Sequence, residues 1–194
     1  MLMQDIILGT IDHKELQINK SELEARIGKN IDIADYISLI NTFNDAAIYK
    51  FAYVRVAVKI ENSTCIFDNN ISVKSTSLSK VLNGCKEAVF FIVSAGVSTD
   101  RLILKAGIES QLKAFLLDAI GSSMIEACAD RVNDIITENL RCTKRFSPGY
   151  SDFPLEFQSV ILKRLKGQAT VGVSLSENLL MTPMKSISAV IGIY

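Results

Sequence analysis

Tryptophan is absent from this chain, histidine occurs once, proline three times, and neither sign of charge predominates. Each scarcity removes a class of protein. Lys+Arg and Asp+Glu both number 21, so the clustered basic charge of a nucleic-acid binder is missing. The same balance leaves no basic helix suited to a membrane surface. The longest apolar stretches, such as Ala88 to Val93, are far too short to span a bilayer. No basic region precedes a hydrophobic run near the N-terminus, so no signal peptide is expected and a cytoplasmic location is.

Metal and nucleophile chemistry is equally short of parts. Cys65, Cys85, Cys128 and Cys142 form no C-x-x-C pair, which removes the local basis for a zinc ribbon or a thioredoxin-like site. Cys85 and Cys128 lie in apolar surroundings and read as small core residues. His13 has no Cys or His partner at ligand spacing, so a surface or packing role is expected for it. Without a G-x-S-x-G elbow, conventional hydrolase chemistry is disfavoured. No G-x-G-x-x-G follows a strand, which argues against a Rossmann-type methyltransferase.

What the chain has is apolar bulk. Hydrophobic residues make up 48% of its 194 positions, enough for a substantial core in a single domain over residues 1–194. Ile6, Ile7 and Leu8, and later Leu16 and Ile18, suggest short strands. Asn19 to Glu22 resembles a capping box, opening a helix over Ser21 to Ile27 that Gly28 stops. A second helix is expected from about Ile33 to Ala47. Tyr53 to Ile60 reads as a strand with one polar face, followed by a turn at Asp68–Asn70 and a short helix at Leu78–Leu82. Glu87 to Ser94 suits a strand buried on both faces.

From Ser98 to about Leu140 the apolar spacing is helical, with Thr99 and Asp100 able to cap its start. That is too long for one ordinary helix, so a break is expected near Ala106-Gly107 or Gly121. Val160 to Leu165 continues a helix that Gly167 stops, and Val171–Leu175 and Ala189–Tyr194 read as strands. Strands and helices alternate irregularly. The expected fold class is therefore α+β, a largely antiparallel sheet with flanking helices, one of them long.

The segment Arg145-Phe146-Ser147-Pro148-Gly149-Tyr150 holds a distinctive set of groups. Pro148 removes a backbone donor, and Gly149 permits a turn that other residues resist, so a ligand can approach the main chain. Arg145 offers a planar fork of donors that matches a carboxylate. Tyr150 offers a flat ring with a hydroxyl. A zwitterionic amino acid joined to a nucleoside needs such groups. On their own, these six residues also read as an ordinary Pro-Gly turn with a surface arginine.

Three ordered blocks change that balance: Leu117 to Glu126, Arg145 to Tyr150 with Pro154 beyond it, and Met181 to Ala189. Together they resemble the activation domain of cobalamin-dependent methionine synthase, with its R-x-x-x-G-Y motif and closing M-x-P-x-x-S-V-S element. The resemblance spans roughly the last 80 residues; residues 1–70 form an N-terminal α/β portion with no signature.

The resemblance implies a bent antiparallel sheet and an S-adenosylmethionine site. Arg145 would take the ligand's carboxylate, and the backbone around Phe146 and Ser147 its adenine. Gly149 would allow close approach and Tyr150 would line the pocket. Glu126 would face the amino or sulfonium group, with a solvated helix carboxylate as the plain alternative. Ser186 and Ser188 are further ligand candidates, or only alternate along the last strand. It also implies a role in reductive reactivation: cobalamin carried by a separate methionine synthase polypeptide or other corrinoid protein, and a flavodoxin-like or ferredoxin-like electron donor. An adaptor that docks on a corrinoid protein without the nucleoside is the competing expectation.

Overall fold

Alternating Val and Ile with Tyr, Arg and Lys make Tyr49–Glu61 (β2) the longest strand, and the sheet is built around it. The computed structural model describes residues 5–28 and 31–194. One edge of β2 pairs with Glu87–Ser94 (β5). Two strands divide the other edge: Ile7–Ile11 (β1) pairs with residues 49–53, and Thr64–Phe67 (β3) with residues 58–61. Ile71–Lys74 (β4) continues beyond β3, and Ser186–Ile193 (β8) lies beyond β5. Every pairing in this six-stranded sheet is antiparallel, and helices cover both faces, so the fold is α+β as expected.

β5 is central and its side chains alternate between two cores. Val89, Phe91 and Val93 face the helices Lys20–Ile27 (α1), Ile37–Ala46 (α2), Val97–Glu109 (α4) and Gln111–Thr137 (α5). Ala88, Phe90 and Ile92 face Phe157–Leu165 (α6) and the chain leading into it. Burial on both faces is what its continuous apolar run predicted. Phe90 makes edge contacts with Phe67 and Phe157, at centroid distances of 4.9 and 5.6 Å.

Several boundaries differ from expectation, each for a local reason. The long helical pattern breaks at Ser110, whose extended backbone separates α4 from α5 and whose hydroxyl accepts from Lys113 N–H. Gly121 lies inside α5: a methyl group there would stand 2.5 Å from the Phe43 ring, so the glycine permits close packing of α2. Thr99 and Asp100 do not cap α4, which starts at Val97 after Gly96; Asp100 instead accepts from Met184 N–H. Leu16 and Ile18 form no strand; they lie in the link between a 3₁₀ turn at His13–Glu15 and α1, and pack against the helical core.

The second helix begins as a 3₁₀ turn over Ile33–Tyr36. The short helix is Thr76–Val81 (α3), started two residues early by the Ser75 hydroxyl. α6 ends at Lys166, which itself adopts the left-handed conformation, and Gly167 opens the short helix Gly167–Thr170 (α7). Val171–Leu175 contributes only Ser174–Leu175 (β6), paired with Met181–Thr182 (β7). No helix among the described residues is long and apolar enough to cross a membrane.

Cys65 and Cys128 are fully buried, while Cys85 and Cys142 are partly accessible. Burial pushes the Cys128 thiol up to about 12 and the Cys65 thiol up to about 11. Phe90 gives the sharper test of the two-core arrangement. Phe90→Ala should lower unfolding free energy by about 3–5 kcal/mol in urea denaturation, the usual cost of emptying a well-packed aromatic site. A loss below about 1 kcal/mol would contradict its place between β3 and α6.

Candidate functional site

Glu126 and Asp130 are one turn apart on α5, so their carboxylates share a face. After α5 the chain runs back along the free edge of β8. Thr143 N–H donates to Gly192 O at 2.9 Å; Phe146 and Val190 exchange bonds of 2.8 and 2.9 Å. The pairing ends at Phe146; two residues on, Pro148 has no N–H to offer a further bond. Gly149, at φ +89, then turns the chain away, and its N–H donates to Phe153 O at 2.8 Å.

That path carries Arg145 to the two carboxylates. Its Nη2 lies 2.5 Å from Glu126 Oε2, and its Nη1 donates to Asp130 Oδ1. Burial works against the guanidinium charge, but the hydrogen bond and charge of Asp130 and those of Glu126 outweigh it. The arginine pKa is raised in consequence. Arg145 and Glu126 are mostly withdrawn from solvent, whereas the Asp130 side chain is 68% exposed.

Beside this cluster opens a cleft of about 160 Å³, lined by Glu126, Arg145, Phe146, Ser147, Tyr150 and Ile187. Five of the residues singled out in the sequence therefore meet at one place. Phe146 stacks on the buried Phe153 at 5.9 Å and lies 6.5 Å from the Tyr150 ring, which is 64% exposed. Gly149 shapes the turn without lining the cleft.

Ser186 and Ser188 do not line it either. They lie on the face of β8 that carries Val190, opposite the one that turns Ile187 to the cleft. Ser186 Oγ donates to Pro183 O at 2.8 Å and meets Ser94 Oγ at 3.0 Å. The Ser188 hydroxyl is buried, with no partner among the described residues.

Asp130 and Ile187 were missed in the sequence. The signal for Asp130 was its four-residue spacing from Glu126, and Ile187 stood between two serines already marked. A larger open groove, about 600 Å³, lies between α6, α7 and β6, with Leu162, Val173 and Leu175 on its walls. No opposite charges converge in it, so the smaller cleft is the better candidate. Among the described residues no group of three or more His, Cys, Asp or Glu could hold a metal.

No protein-family model matches the sequence, and no curated protein matches it. Among solved structures, the chain is similar to a crystal structure of the MetH reactivation domain bound to AdoHcy, with a TM-score of 0.67. The match covers 98% of this chain and 78% of that one, at 12% sequence identity. The chain shares the fold of that domain.

The charge cluster makes an asymmetric prediction for stability. Asp130→Asn should cost less than about 1 kcal/mol, since an exposed ion pair is worth little. Arg145→Met should cost about 1–3 kcal/mol, because it strands the withdrawn Glu126 carboxylate. Urea unfolding of the two variants checks the order, and equal losses would refute it.

Proposed function

We propose that this chain binds S-adenosylmethionine in the Arg145 cleft and serves reductive reactivation of cobalamin held by a separate polypeptide. The observation that carries the reading is the convergence of Glu126, Arg145, Phe146, Ser147 and Tyr150 on one cleft in a fold shared with an AdoHcy-bound domain.

The cleft's chemistry fits the ligand. Arg145 is a fork for a carboxylate, and Glu126 with Asp130 offers negative charge to an ammonium or a sulfonium. The Tyr150 ring is exposed and free to stack on an adenine. Phe146 and Ser147 line the cleft where the chain leaves the edge of β8.

When bound, S-adenosylmethionine supplies a methyl group activated by its sulfonium charge. The chain's own part is to bind and orient: Arg145 fixes the amino-acid end, Tyr150 holds the base, and Glu126 favours the cationic centre over a neutral thioether. No side chain in the cleft has to transfer a proton. The corrinoid carrier, a methionine synthase polypeptide or another corrinoid protein, and a flavodoxin-like or ferredoxin-like donor complete the proposed system.

Isothermal titration of the folded protein with S-adenosylmethionine tests the reading, and heat of binding is the expected result. Arg145→Ala should weaken that affinity by at least about tenfold, the loss expected for a charge-assisted contact. Absence of binding at millimolar ligand would remove the nucleoside from the account, leaving the docking adaptor as the reading to pursue.

A further inference from the structure

Between the edge of β8 and the start of α6, the chain must reverse while keeping Tyr150 at the cleft. Two residues of that turn lie in the left-handed region, Gly149 at φ +89 and Ser151 at φ +53. Glycine accepts such angles freely; Ser151 carries a Cβ that resists them. The neighbouring contacts must therefore hold Ser151 in place.

The next residue supplies them. Asp152 Oδ1 accepts from Ser75 Oγ at 2.8 Å and from Ser77 N–H at 3.0 Å, and Oδ2 accepts from Thr76 N–H at 2.7 Å. The Ser151 and Ser77 hydroxyls share a further bond of 2.8 Å. These donors sit at the start of α3, more than seventy residues away in sequence. The Ser75 hydroxyl first, and the Ser77 N–H next, hold the Asp152 carboxyl far below the usual carboxylate range. Asp152 is absent from the cleft lining, so its influence there passes through the backbone.

We propose that Asp152 is a positioning residue: it latches the turn to α3, holds Ser151 left-handed, and so keeps Arg145 to Tyr150 in the form that binds ligand. The inference rests on the cleft being the ligand site. A turn that visits its competent form only part of the time binds more weakly in proportion to that fraction. Asp152→Asn weakens the latch with little change in size: the amide oxygen still accepts from Ser75 Oγ and Ser77 N–H, but the amide nitrogen that replaces Oδ2 cannot accept from Thr76 N–H.

Two readouts separate this proposal from the binding reading. The first is trypsin cleavage after Arg145, which needs no ligand and should accelerate about tenfold in folded Asp152→Asn as the turn opens. The second is calorimetry with S-adenosylhomocysteine, where Asp152→Asn should lose about tenfold in affinity. Adding Ser151→Gly to that variant should restore part of the lost affinity, since glycine adopts the left-handed angle without the steric cost that Ser151 bears; a merely structural role for Asp152 predicts no rescue.

Unchanged cleavage after Arg145, or a double variant no tighter than Asp152→Asn, overturns the latch. If the unsubstituted chain binds no ligand, the binding reading fails, and cleavage alone decides whether Asp152 holds the turn. Should Asp152→Asn not fold, Ser75→Ala removes one of the donors and must still accelerate cleavage; no acceleration overturns the proposal.

Discussion

The contact on which the cleft depends is the Arg145 guanidinium seated between Glu126 and Asp130. Withdrawing an arginine from water is costly, and two carboxylates on one helix face offset that cost. The pairing brings the segment after α5 back against α5 itself, while the exchanged bonds of Phe146 and Val190 fix the same segment to the edge of β8. Helix, sheet edge and turn thus meet at one charged point. Both Nη atoms of Arg145 are engaged by these carboxylates, so any carboxylate brought to the fork must share or displace one of the two contacts.

The rest of the architecture supplies a rigid backing for that point. β5 is buried on both faces, so β8 is held against a strand that cannot shift without disturbing two cores. α5 is fixed at its first half by Phe43 against Gly121 and by Lys185, whose ammonium donates to Asp118 and Ser122 at 2.7 and 2.9 Å. The residues lining the cleft then come from three differently anchored elements.

Much of this was legible in the sequence because the signals were local. The continuous run Glu87–Ser94 gave the buried strand, and Pro148-Gly149 with Arg145 and Tyr150 marked the turn and its groups. What local patterns could not supply was direction. Ser186 and Ser188 stood beside the right position but face the other core, because strand alternation sent Ile187 to the cleft instead. Gly121 looked like a helix break and is a packing gap for Phe43; Ser110, an unremarkable residue, is the real break. Asp152 carries no local signal, since its donors lie at the start of α3. Long-range partners of this kind leave no trace in spacing.

The central claim is that the nucleoside ligand occupies the Arg145 cleft, and an amide-resolved NMR titration with S-adenosylhomocysteine tests it most directly. The account predicts saturable shifts concentrated at Glu126, Phe146, Ser147, Tyr150 and Ile187, with the α6–α7 groove around Leu162 and Val173 undisturbed. Saturable shifts confined to that groove, with the cleft silent, would contradict it.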